Sequence, residues 1–220
     1  NRSRSNITST GVFAVADLGQ VNAARLNLKV FLQGAYTFST GLMKDGLRTA
    51  NVIPLIQPYS SALNPLFTRV GVYDGSASVN ETVPDITVFD VSGTQDDIVD
   101  WVYISLQDNT TPATKLQTRA ALIQRDGDIV EYNATSATYV PVRMPIDTHG
   151  LYHLVVSHRT HLAARTSTSQ LLQDGITMPL YDFSSDQSKA YQDPAILALT
   201  PPNNNPAMKD LGGGVFAMWG

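Results

Sequence analysis

The sequence contains no cysteine. Disulfides, thiolate nucleophiles and cysteine-ligated zinc or iron–sulfur centres are therefore excluded. Charge is also scarce: Asp, Glu, Lys and Arg make up 15% of the 220 residues, against about a quarter in an average globular domain. The net charge of −4 is the wrong sign for gripping a phosphate backbone or anionic lipid, so no nucleic-acid partner is expected. No apolar run approaches the ~20 residues that cross a bilayer, so no membrane span is expected either. Motifs with a defined chemistry are missing as well. There is no Gly-x-Ser-x-Gly elbow, no phosphate-cradling Gly-rich loop, no dinucleotide fingerprint and no His-Glu-x-x-His.

What is present is a hydrophobic fraction of 43%, enough for a core, with Ser, Thr, Asn and Gln filling the charge deficit. The apolar residues alternate with polar ones, which marks half-buried strands. Leu26, Leu28, Val30, Leu32 and Tyr36 fall on one face of a predicted strand. Further strands are predicted over 86–89, 98–107, 116–124, 129–132, 139–144, 150–158 and 176–183. Asp126-Gly127 between two apolar runs is a hairpin signal, because glycine accepts positive φ. Residues 37–70 break the pattern with Pro54, Pro58 and Pro65, and read as a long ordered excursion with one helical turn. The expectation is an all-β, Ig-like or prealbumin-like antiparallel sandwich with little helix. Residues 1–25 would form an arm or edge strand, 26–183 the sandwich domain including the excursion, and 184–220 a Pro/Asn-rich wrapping segment with a terminal strand.

Candidate sites follow from residue chemistry. Asp96, Asp97 and Asp100 lie in an acidic stretch and are the candidate calcium ligands, although the spacing of a calcium loop is missing. His158 and His161 could offer two metal ligands if the segment turned, with solvent-facing residues at a strand end as the plainer reading. Trp101 and Tyr103 share a face opposite Val102 and Ile104, and with Tyr59 and Tyr73 they are candidate platforms for glycan stacking. The competing reading covers that face with the 37–70 excursion or the C-terminal segment. Four Asn-x-Ser/Thr sequons, at Asn6, Asn80, Asn109 and Asn133, are expected by chance in a Ser/Thr-rich chain. Gly11-Val12-Phe13-Ala14 recurs as Gly214-Val215-Phe216-Ala217. Val12, Phe13, Val15, Val215, Phe216 and Trp219 are thus candidates for strands that serve assembly.

Several segments in one order carry a resemblance. They are Leu28 to Tyr36, Gly41-Leu42-Met43, Leu47-Arg48, Ile53 to Tyr59, Val99 to Val102, Gln124 to Asp128, Tyr152 to Arg159 with His161-Leu162, and Gly212 to Trp219. Together they resemble a β-rich module of large secreted and surface-attached Bacteroidota proteins, commonly exported by the type IX system. The stretch from Asp100 to Arg159 is also similar to a prealbumin-like sandwich, as in carboxypeptidase regulatory-like and Cna-B-type stalk domains. The resemblance implies an extracellular or cell-surface, non-catalytic module.

The expected function is therefore structural: a module of a bacterial cell-surface or extracellular assembly, self-associating or contacting neighbouring domains, with strand addition linking a fibre. A glycan-binding adhesin is the alternative. A polysaccharide hydrolase is the third reading, and it would require two facing carboxylates about 5–10 Å apart.

Overall fold

The computed structural model describes residues 22–71, 81–90, 93–201 and 204–220. In chain order the strands are β1 (Ala23–Leu26), β2 (Leu28–Lys29), β3 (Tyr36–Thr37), β4 (Leu42–Met43), β5 (Ile98–Asp108), β6 (Lys115–Gln124), β7 (Asp128–Asn133), β8 (Thr138–Pro145), β9 (Gly150–His158), β10 (His161–Arg165), β11 (Gln170–Leu172), β12 (Tyr181–Asp182), β13 (Lys209–Gly212) and β14 (Val215–Ala217). Among the described residues helix is confined to two short α-helices, α1 (Gly46–Thr49) and α2 (Pro194–Leu197), and three 3-10 turns. The fold is all-β, as the alternation predicts. No helix among the described residues is long and apolar enough to cross a membrane.

Ten strands form one sheet along the path β1-β8-β7-β6-β5-β9-β10, with β11 added to β9 and β2 joining β7 and β12. All pairs are antiparallel except β12 on β2. The long central strands have both faces covered. Val102, Ile104 and Leu106 of β5 point into one core with Ala121, Ile123, Leu154 and Val156. That core is closed by Ala24, Leu26, Leu28, Val30 and Leu32, with Ala217 and Met218 of the C-terminal segment. Trp101 and Tyr103 point into a second core with Ala120 and Leu122, closed by Ile53, Tyr59, Phe67, Val83 and Phe89. The excursion therefore forms the lid of the second core.

The turn between β6 and β7 shows why Asp126-Gly127 is needed. Gly127 has φ +95, and a Cβ there would meet the Val30 carbonyl oxygen at 2.8 Å. Val30 N–H donates to Gly127 O at 3.0 Å, so the turn also anchors the covering layer.

Three predicted strands differ from those observed. Residues 26–36 keep the predicted alternation of burial, but their partners change along the run from β8 to β7 and then to a bridge with Met218. The run ends in a turn at Gly34, which carries Tyr36 beyond the strand. Residues 86–89 form a 3-10 turn, because the Asp85 side chain accepts from Thr87 N–H and caps it. Of 176–183 only Tyr181–Asp182 is a strand, with a single bridge at Thr177, since Pro179 has no N–H for a ladder. The proposed arm residues Val12, Phe13 and Val15, and the ring of Tyr73, lie outside the described residues.

Candidate functional site

Three of the four aromatic residues read as stacking platforms, Tyr59, Trp101 and Tyr103, are structural. Trp101, Tyr103 and Tyr59 are 1–2% exposed, so no sugar face can reach them. Their polar ends are taken up internally. Tyr59 Oη donates to Trp101 O at 2.7 Å, Trp101 Nε1 to Pro54 O at 2.8 Å, and Tyr103 Oη to Thr68 O at 2.7 Å. Burial pushes both tyrosine hydroxyls up, far up for Tyr59, so they stay protonated donors. The reading that buries this face beneath the excursion is the correct one.

The three aspartates do not form a calcium site. Asp97 is fully buried between two guanidiniums, Arg48 at 3.5 Å and Arg125 at 3.7 Å. Asp100 faces Arg159 and His158 at the other side of β5. Asp96 sits apart, its carbonyl accepting from Gln124 Nε2 at 2.9 Å. Among the described residues no group of three or more His, Asp or Glu could hold a metal ion. The physical reason is that cationic side chains already neutralise Asp97 and Asp100.

Glu81 and Glu131 are likewise engaged. Glu81 accepts both 2.8 Å bonds of Arg69 Nη2, and Glu131 bonds Arg119 at 2.8 Å and Arg143 at 2.7 Å. Arg119 lies between the two acids, its Nε 3.6 Å from Glu81. Glu81, Arg119 and Glu131 are all buried, so this line of alternating charge ties β6, β7, β8 and the segment at Glu81 together. Sequence reasoning missed it. Its signal was an arginine inside the apolar run of β6.

The site with the most chemistry is the turn between β9 and β10. The β5–β9 ladder runs from Asp108↔Tyr152 to Tyr103↔Ser157, so Asp100 and His158 sit just past its end. An irregularity in the β5–β6 register between Ile98 and Asp100 re-aims the strand there. Asp100 Oδ2 lies 3.1 Å from His158 Nε2 and accepts from Arg159 Nη2 at 2.7 Å. His158 Nδ1 lies 2.9 Å from His161 Nδ1, and Thr160 Oγ1 is 3.1 and 3.0 Å from these two nitrogens. His161 Nε2 reaches Gln33 O at 3.0 Å. Burial lowers the proton affinity of His161 and His158 adds to this, while the Gln33 bond and Asp100 oppose it; the net shift is downward. The cluster lines a cavity of 520 Å³ with Leu66, Leu162 and Trp219. The sequence singled out Asp100 and the His158/His161 pair separately, and the fold joins them.

A second concavity, of 630 Å³, lies beside the β7–β8 hairpin. Its wall holds Tyr132 and Tyr139, with ring centroids 5.8 Å apart and planes at 67°, and its rim holds Asp90, Asp96 and Asp128. Burial pushes the Asp128 carboxyl up, and Asp126 and Asp182 add to this against the Lys29 charge.

The C-terminal strand proposed for assembly is used within the chain. β14 pairs with β13, Phe216 N–H donates to Ser184 O, and Leu162 N–H donates to Trp219 O at 2.8 Å. Val215 and Phe216 pack against the first core, and Trp219 Nε1 donates to Pro206 O at 2.8 Å. With the β13 ladder on one side and bonds to Ser184, Phe31 and Gln33 on the other, Val215, Phe216 and Trp219 serve contacts within the chain. Among the described residues an open edge exists elsewhere. β11 has β9 as its ladder partner, and the cross-strand pair Leu171↔Leu151 is exposed at 54% and 50%. No family model, no curated protein and no solved structure matches this chain.

Proposed function

We propose that this chain is a non-catalytic structural module of a bacterial cell-surface or extracellular assembly, joined to a second copy of itself through the β11 edge. The observation that carries the reading is the Leu151–Leu171 pair. Two large apolar side chains sit opposite each other, half exposed, on β11 and the β9 strand beside it, while both internal cores are already closed. A strand edge with an apolar pair on it is a template for pairing with another chain. The sequence resemblance to β-rich modules of type IX-exported Bacteroidota proteins supports the extracellular setting.

Sedimentation velocity across a concentration series tests this. Reversible association is expected, and Leu171→Lys should abolish it while changing stability by no more than about 0.5 kcal/mol, as for exposed positions generally. A monomer at every concentration, in the unmutated chain, overturns it.

A glycan-binding reading is favoured by one feature, the concavity holding Tyr132, Tyr139 and polar side chains. Aromatic rings beside carboxylates and amides suit a polyhydroxylated ligand. A glycan array should then give hits that Tyr132→Ala removes; an empty array leaves the assembly reading alone.

A further inference from the structure

His158 and His161 face each other across the two-residue turn between β9 and β10. Each ring has one nitrogen directed at a group that only accepts. His158 Nε2 meets the Asp100 carboxylate, which is paired with Arg159, and His161 Nε2 meets the Gln33 carbonyl. Both Nε2 atoms therefore carry a proton. A neutral imidazole protonated at Nε2 presents a bare lone pair at Nδ1. Two neutral rings would aim those lone pairs at each other across 2.9 Å, which is a hydrogen-bond distance. The Thr160 hydroxyl has a single proton for the two nitrogens, and the Thr160 N–H lies farther off, 3.4 Å from His158 Nδ1, so neither replaces a proton held between rings 2.9 Å apart.

We propose that His158 and His161 share one proton between their Nδ1 atoms, and that this proton clamps the C-terminal segment onto the β9–β10 turn in a pH-dependent way. The proton belongs to the pair, flanked by Asp100 and Arg159 on the His158 side and by the Gln33 carbonyl on the His161 side.

The clamp has a definite object. Gln33 accepts from His161 through its carbonyl, donates its N–H to Met218 O at 3.0 Å, and accepts from Gly220 N–H through Oε1 at 3.0 Å. A Cβ on Gly220 would lie 2.8 Å from His161 Nε2, so the segment rests directly on the ring. The charged and titratable groups facing the pair are Asp100 from β5, Arg159 from the turn, and Tyr59 from the excursion, whose burial keeps it neutral. Gln33 and Trp219, from the remaining elements, are uncharged.

The sign follows from the proton count. At high pH the shared proton leaves, two lone pairs face each other, and His161 turns away from Gln33. At low pH a second proton arrives and two N–H donors face each other. For His161 the folded value is depressed, so its contribution is present above the ordinary imidazole value of ~6.5 and is lost as pH falls through the folded value. The clamp therefore holds in a window between two limbs, and the titration belongs to the pair.

Long-range 1H–15N correlation on the unmutated, EDTA-dialysed chain tests this directly. Across a pH series, both Nε2 atoms should read as protonated, the two Nδ1 atoms should report one proton between them, and the Trp219 indole and Gly220 amide signals should follow a bell. Each limb should change the open-to-closed ratio by up to about tenfold per pH unit, the limit for one linked proton. His158→Gln should flatten the bell, and Thr160→Val should leave it. Independent titration of each ring with a flat Trp219 signal, or a bell that persists in His158→Gln, overturns the proposal. Because the tautomer reading is made on the unmutated chain, it decides the matter even if a variant does not fold.

Discussion

The two faces of the central strands are buried by different means. The face carrying Val102, Ile104 and Leu106 meets a covering run whose own residues alternate, from Ala24 to Leu32, and whose backbone is held by regular pairing to β8 and β7. The face carrying Trp101 and Tyr103 meets the irregular excursion, beneath which Thr118 of β6 is also buried. An irregular cover has backbone groups with no ladder partner, and these must be satisfied when buried. The sheet supplies the partners: Trp101 Nε1 for Pro54, Tyr103 Oη for Thr68, and Thr118 Oγ1 for Val70 N–H at 2.9 Å. A regular layer can be held by shape, whereas an aperiodic one needs side chains with polar ends.

That contrast can be broken or sharpened by mutation. The largest effect is expected for Glu131→Ala, which takes the bridging carboxylate from Arg119 and Arg143 and should cost about 3–5 kcal/mol in urea unfolding. Ile104→Ala, beside Arg119 in the β5–β6 register, should cost about 3 kcal/mol, as a buried cavity does. If Ile104→Ala proved clearly the more damaging, the charged line would be a minor contributor. Gly127→Ala should cost more than about 1 kcal/mol, because φ +95 and the Val30 carbonyl both oppose a Cβ. Tyr103→Phe should cost about 1 kcal/mol, and it should speed proteolytic cleavage near Thr68 while leaving the first core's amide exchange unchanged.

The smallest effect is an acid limb from Asp45. Burial pushes its carboxyl up, but the Arg48 hydrogen bond and the Arg48 and Arg125 charges outweigh that and hold it below the usual range. Its contribution is therefore complete above the ordinary aspartate value and is lost as pH falls through the folded one. Asp45→Asn should flatten that limb in a pH series of unfolding midpoints.

Much of the sheet was legible in the sequence. Period-2 alternation located β5, β6, β8 and β9, and Asp126-Gly127 located the turn between β6 and β7, because both signals are local. Segment 86–89 was not legible as a turn, since its apolar residues mimic a strand and Asp85 decides the outcome through one side-chain bond. The fate of Trp101 and Tyr103 depended on whether residues more than thirty positions away fold back over them, which alternation does not encode. The histidine pair was visible as a spacing, but its partner Asp100 lies 58 residues earlier and meets it through the β5–β9 ladder alone.

By itself the sequence determined which side chains share a face and where the chain turns sharply, because pleat and backbone torsion act over a few residues. Which charges meet was decided by the tertiary structure. Asp97 and Asp100 are three residues apart, on either side of the register irregularity at the start of β5. One was delivered to Arg48 and Arg125, the other to Arg159 and His158. Coulombic and hydrogen-bond partners are fixed by strand order and register, and those are set by the packing of the whole chain.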